Sequence, residues 1–196
     1  RPDKNLKPSR AKLELPVDKL IVLFVGRMEI EMGAQNALSI AENLVTKNSD
    51  ICFVFAGARG SLTDKIDLIS RNSNQIYCRP NVPFDDLPYY YTSCNVFIAP
   101  TLGVHACMGV SIKEAMASGK PSIVSNSGGI PEAIRDNKDG EIINLKANGE
   151  IDKEAFSNAI LKLINNKSKC IEYGKSARER AESIFSLKST TKKYIK

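Results

Sequence analysis

Leu20-Ile21-Val22-Leu23-Phe24-Val25, closed by Gly26-Arg27, is an unbroken apolar run of strand length. A strand with one wet face alternates polar and apolar residues. An unbroken run is expected where helices cover both faces, as in a parallel sheet. The same signal returns at Ile51–Ala56 and at Val96–Ala99 stopped by Pro100, with further strands expected at Ser122–Ser125, Gln75–Cys78 and Ile142–Ile143. Between the first two runs, Ala34, Ala37, Leu38, Ala41, Leu44 and Val45 recur at spacings of three and four, one helical stripe. Further helices are expected at Leu62–Ile69, Pro83–Tyr91, Val110–Ser118 and Pro131–Arg135, then over about Asp152–Asn165 and Lys167–Ser183. Strand–helix alternation of this kind predicts a doubly wound α/β domain with a parallel sheet of about six strands. Ligands of such sheets bind outside the carboxyl ends of the strands. The loops rich in glycine and serine that follow the strands should share that rim.

The chain has 196 residues, 42% of them hydrophobic, which supports one full core without metal or disulfide staples. No apolar run approaches the roughly 20 residues of a membrane span, and no secretory signal is visible. The chain starts at Arg1 rather than Met and is read as a fragment or a processed product. Its five cysteines are odd in number and form no Cys-x-x-Cys pair, and there is one histidine. A zinc site is therefore not expected, and reduced thiols in the cytoplasm are. The net charge of +6 gathers towards the ends of the chain. It reads either as solvated surface or as attraction to anionic lipid or an acidic partner. Nucleic acid fits less well, because no recognition motif or aromatic series accompanies the charge.

Met108-Gly109-Val110-Ser111-Ile112-Lys113-Glu114 leads a glycine turn into a short helix stopped by Gly119 and Pro121. A glycine there opens the backbone N–H groups of Gly109, Val110 and Ser111 to an anion favoured by the helix dipole. Glu114, one turn in, can reach hydroxyls carried by that anion. Phosphate with neighbouring hydroxyls describes a nucleotide or a nucleotide sugar. Ser111 and Glu114 also fit a capping box, which would occupy the same carboxylate; spacing alone favours that reading.

Arg27 can offer a planar fork of donors to a diphosphate, although an arginine after a strand is commonly a surface residue. Gly33 would open the first helix. Gly128, Gly129 and Glu132 read either as a phosphate-facing turn or as an ordinary loop and helix start. His105 is the single imidazole, and a lone histidine in a loop is more often incidental than catalytic. Tyr89-Tyr90-Tyr91 reads as packing between helix and sheet. No Gly-x-Gly-x-x-Gly follows a strand, which weakens a dinucleotide-dehydrogenase reading.

Taken in order, Leu23–Arg27, Val82–Leu87, Tyr91–Pro100, Gly109–Pro121 and Gly128–Glu132 resemble the donor-binding, C-terminal domain of glycosyltransferase family 4. That domain is one Rossmann-like half of a GT-B enzyme. The resemblance implies transfer of a sugar, with retention, from a UDP-, GDP- or ADP-linked donor to an acceptor hydroxyl in polysaccharide or glycolipid synthesis. It implies no metal and no cofactor beyond the nucleotide-sugar substrate. It assigns the diphosphate to Arg27, Gly26 and Gly33, and the ribose to Glu114. It gives the backbone donors to sugar and phosphate as Gly109, Val110 and Ser111, and the border of the base as Arg79, Pro80 and Asn81.

Two positions depart from the family pattern. Met32 stands where a lysine is usual, and Ala106 where a sugar-binding glutamate is usual. His105 or Lys113 would be the residues to compensate in part, though Lys113 is expected to point away. These departures keep open a non-catalytic nucleotide-sugar binding or scaffold domain. The resemblance divides the chain into a linker at 1–18, the donor domain at 19–184, and a helix at 185–196 crossing back to an absent N-terminal acceptor domain. It implies a cytoplasmic protein, with a lipid-linked acceptor or attachment at the inner face of the cell membrane as a further expectation. The fragment alone is expected to be inactive.

Overall fold

The computed structural model describes residues 6–103, 109–187, 189 and 191. Six strands form one parallel sheet: β1 (Leu20–Val25), β2 (Ile51–Gly57), β3 (Ile76–Pro80), β4 (Val96–Ala99), β5 (Ser122–Ser125) and β6 (Gly140–Ile143). Their spatial order is β3-β2-β1-β4-β5-β6, with every pairing parallel. The helices are α1 (Leu6–Lys12), α2 (Ala34–Val45), α3 (Thr63–Arg71), α4 (Leu87–Ser93), α5 (Val110–Ala117), α6 (Ile130–Ala133), α7 (Lys153–Ile164) and α8 (Lys167–Arg180). The doubly wound sheet of about six strands is thus the observed architecture.

β1, β2 and β4 read as unbroken apolar runs because successive side chains enter two different cores. Val22 and Phe24 face one with Phe53, Phe55 and Ile98, covered by α2 and α7. Ile21, Leu23 and Val25 face the other with Val54, Phe97 and Val124, covered by α4 and α5. Full burial of each such side chain contributes about 1.5–3 kcal/mol, so both faces are closed by the same driving force. The stripe Ala34, Ala37, Leu38, Ala41 and Leu44 is buried on α2 as its spacing predicts. Asp152 and Asn166 cap α7 and α8, accepting from the N–H groups of Ala155 and Lys169 at 3.0 Å each.

Residues 6–18, within the stretch expected as a linker, carry structure: α1 packs on α4, and Leu15 is buried. Arg10, 2% exposed, explains the docking. Its guanidinium donates to the carbonyls of Ser93 (2.9 Å), Val17 (3.0 Å) and Lys19 (2.8 Å) and to Asn95 Oδ1 (2.8 Å). Burial lowers its pKa. The helix expected at Pro83–Tyr91 begins instead as a 3-10 turn at Phe84–Asp86 and becomes α-helical from Leu87 to Ser93.

Beyond α8 a π-helical turn spans Ala181–Phe185, and most of 185–196 lies outside the described residues. Cys52, Cys78 and Cys94 are buried free thiols, and burial pushes each up to about 11. Among the described residues, no helix is long and apolar enough to cross a membrane.

Candidate functional site

The strand order reverses between β1 and β4. Chain leaving β1 runs to one side of the sheet, and chain leaving β4 runs to the other. A crevice must therefore open beyond their carboxyl ends. A cleft of about 710 Å³ lies there, lined from β1 and its loop by Gly26, Glu31 and Met32, and from α5 by Gly109, Val110, Ser111 and Glu114.

Local bonding shapes each wall. After β1, the Met28 N–H donates to the carbonyl of Ala58 (3.1 Å), and the Leu62 N–H donates to that of Met28 (3.0 Å). Glu29 accepts from the N–H of Ser61 at 2.9 Å and from its hydroxyl. Those bonds, with a smaller contribution from Arg27, hold the Glu29 carboxyl below its ordinary range. Gly33 caps α2 with φ of 84°, backed against Pro100. Asn36 Nδ2 donates to the Pro100 carbonyl (3.2 Å), and the Thr101 hydroxyl donates to that of Met32 (3.1 Å). From the far side, the Ser125 hydroxyl donates to Thr101 O (2.5 Å), and the Gly103 N–H donates to Ser127 Oγ (3.1 Å). The loop after β4 is thereby held between its two neighbours in the sheet.

At α5 the structure decides between two readings of Glu114. The N-cap is Gly109, with φ of 58° and no side-chain cap bond. A Cβ on Gly109 would approach Ile112 Cδ1 to 2.8 Å, so glycine suits this entrance on both counts. Ser111 lies inside the first turn, and the capping box does not form. The Glu114 carboxylate lines the cleft, and its Oε2 accepts from the Tyr91 hydroxyl at 2.7 Å. The first N–H groups of α5 have no intrahelical acceptors, as at any helix start. Together they make a tip suited to an anion, with a carboxylate one turn away for hydroxyls.

The other candidates are distributed as follows. Arg27 is exposed, one residue beyond Gly26, and forms no salt bridge among the described residues. Arg79 and Pro80 end the edge strand β3 and Asn81 follows it; none of the three lines the cleft. Arg79 donates to the Cys78 carbonyl (3.1 Å), and Asn81 has φ of 56°. Gly128 is exposed with φ of 54°, Gly129 caps α6, and Glu132 is exposed. The α6 residue lining the cleft is Ile130. Lys113 lies over the Phe185 ring, 5.2 Å from its centroid. His105 and Ala106 lie outside the described residues.

Sequence reading missed Glu31, Phe84 and Thr101 in the lining and the bond from Tyr91 to Glu114. None carried a local signal, since the cleft gathers them from separate loops. Of the described lining residues, the charged ones are Glu31 and Glu114, both acidic. Among the described residues, no three His, Cys, Asp or Glu side chains are grouped to hold a metal ion.

A cleft at the reversal point of a parallel sheet, with a glycine-led helix tip in its wall, defines a ligand-binding α/β domain of the doubly wound class. The chain belongs to the glycosyl transferases group 1 family, whose model matches residues 7–180. It is similar to spore coat protein SA of Bacillus subtilis, 30% identical over 85% of this chain and 45% of that protein. It is also similar to alpha-maltose-1-phosphate synthase of Mycolicibacterium smegmatis, 25% identical over 90% of this chain and 46% of that protein. The chain thus spans about half the length of these curated relatives.

Among solved structures, a glycosyltransferase from Rickettsia africae matches with a TM-score of 0.81 at 21% identity, over 100% of this chain and 51% of that one. Anabaena HepE in complex with UDP and glucose matches at 0.79 with 16% identity, over 97% and 50%. The C-terminal domain of a group 1 family protein, LpcC, from Francisella tularensis matches at 0.79 with 16% identity, over 94% of both chains.

Proposed function

We propose that this chain is the C-terminal, donor-binding domain of a retaining family 4 glycosyltransferase, which moves a sugar from a nucleotide sugar to an acceptor hydroxyl. The observation that carries the reading is the Glu114 carboxylate, uncommitted to its own helix cap and exposed to the switch-point cleft beside Gly109. The α5 tip takes the diphosphate, Glu114 takes the ribose hydroxyls, and Arg27 supplies the cation from the rim. Cleaving the anomeric bond leaves charge on the diphosphate. Oriented N–H groups and an arginine stabilise that charge more in the transition state than in the ground state.

The complexes of Anabaena HepE with UDP and with UDP-glucose support a nucleotide-sugar ligand for this fold. The N-terminal acceptor domain of the longer enzyme forms the facing wall. Exposure of Phe84 (78%) and Val110 (71%) at the cleft supports that contact, because apolar groups left in water at a binding edge mark a surface to be covered. By itself the chain binds nucleotide weakly and transfers no sugar. The enzyme serves polysaccharide or glycolipid synthesis on the cytoplasmic side, where a lipid-linked acceptor is reachable from the membrane surface.

A thermal-shift panel of UDP, GDP and ADP sugars tests the reading, since a ligand bound by the native state alone raises its melting temperature. A shift with one base is expected. No shift with any member at millimolar concentration overturns the assignment.

A second reading, a non-catalytic nucleotide-sugar scaffold, is favoured by one observation: Met32, 43% exposed, lines the cleft where a cation would serve a diphosphate. Met32→Lys in the full-length enzyme separates the two. Gain of transfer activity from an inert parent supports the scaffold, whereas activity in the unmodified enzyme refutes it.

A further inference from the structure

The Tyr91 hydroxyl sits 2.7 Å from Glu114 Oε2. The ring behind it is 2% exposed. It is wedged in the core beside Phe97, with ring centroids 6.0 Å apart and a tilt of 51°. A phenol so held has no freedom to follow a moving partner. Glu114 is half-buried at the junction between the main cleft and a side pocket of about 200 Å³ that Tyr91 also lines. An unsupported glutamate there has three torsions to fix before both oxygens can meet a ligand, and fixing them costs conformational entropy.

We infer that Tyr91 is a positioning residue that locks the Glu114 carboxylate for two neighbouring ribose hydroxyls, and that this pair sets the preference of the cleft for ribonucleotides over 2′-deoxyribonucleotides. This rests on the reading of Glu114 as the ribose ligand. The phenol is a donor to Oε2, so Oε1 and the second lone pair of Oε2 stay turned to the cleft as acceptors. The ribose 2′- and 3′-hydroxyls are the matching donors. A site built to receive a hydroxyl rejects an analogue lacking it, because its buried acceptor is left unpaired. Without the phenol the carboxylate swings, and ribose is held with less advantage over deoxyribose. Tyr91 touches no ligand itself.

The test compares UDP with 2′-deoxy-UDP, and the GDP and ADP pairs likewise, by calorimetry on the chain, on Tyr91→Phe and on Glu114→Gln. The parent is expected to prefer the ribose form of the recognised base. Glu114→Gln should lose most of that preference. Tyr91→Phe should reduce it by about tenfold, the worth of a hydrogen bond to a charged group, with affinity for the deoxy form unchanged.

No ribose preference in the parent, or an undiminished one in Glu114→Gln, sinks the reading of Glu114 itself. Loss in Glu114→Gln but full preference in a folded Tyr91→Phe sinks the inference alone. Should Tyr91→Phe fail to fold, a ring-fluorinated tyrosine at position 91 decides, since it keeps the hydroxyl and sharpens its acidity. A shift in the ribose-to-deoxyribose ratio with the deoxy affinity unmoved supports the lock, and an unmoved ratio overturns it.

Discussion

Gly33 backs directly onto the carbonyl of Pro100: a Cβ on residue 33 would lie 2.5 Å from that oxygen. The contact joins the start of α2 to the loop after β4, the two sides of the switch point. Gly33→Ala meets both this clash and a φ of 84°. A cost of about 2–4 kcal/mol is expected, seen as a lower urea midpoint. Because the Pro100 loop must shift, nucleotide-induced stabilisation should fall as well. A variant as stable as the parent would show that the two loops do not hold each other.

Arg27 is exposed and forms no salt bridge among the described residues, so the fold does not lean on it. Arg27→Ala should change the melting temperature by no more than a degree or two, as surface substitutions do, within about 0.5 kcal/mol. Nucleotide diphosphate affinity should drop about tenfold or more, the worth of a charge-assisted contact. Titration calorimetry reads both expectations against nucleoside as a control. Equal loss for nucleoside and diphosphate would move the arginine away from the phosphates.

Arg10 tests whether the segment before β1 belongs to the folded unit. Its guanidinium bonds four backbone carbonyls and Asn95. Arg10→Met removes the donors and leaves those acceptors buried. A loss of about 3 kcal/mol or more in urea denaturation is expected. A tethering segment without structural weight would give no change.

Asp139 sets the acid limit of stability. The residue is fully buried. Burial by itself would raise its carboxyl, but bonds from Arg135 (2.9 and 2.7 Å) and Ser176 (2.7 Å) outweigh that and hold it below its usual range. The folded state therefore binds this proton less readily than the unfolded chain. The stabilisation is complete above the unfolded value of about 3.9 and is lost as pH falls through the lower folded value. Asp139→Asn should be less stable at neutral pH and show a shallower acid limb in melting temperature against pH. An unchanged acid limb would place the sensitive carboxylate elsewhere.

The sheet was readable because its signal is local. Leu20–Val25, Ile51–Ala56 and Val96–Ala99 are apolar throughout, and only a strand covered on both faces tolerates that. The stripe on α2 is local for the same reason. The partner of Glu114 was not readable by spacing: Ser111 and Glu114 satisfy the capping pattern, yet the helix starts at Val110 and its N-cap is Gly109, which has no side chain to cap with. Arg10 looked like one basic residue in a Pro- and Lys-rich lead. Its burial depends on acceptors at 93 and 95, more than eighty residues away.

Composition and periodicity alone therefore determined a parallel, two-sided α/β sheet and the rim where its loops gather, since those follow from side-chain burial repeated along each element. Only the tertiary structure decided which loops meet at that rim, that Glu114 answers to Tyr91 rather than to its own helix, and that Arg27 stands outside the cleft lining. Those depend on strand order and on contacts between residues far apart in the chain, which no local window of sequence contains.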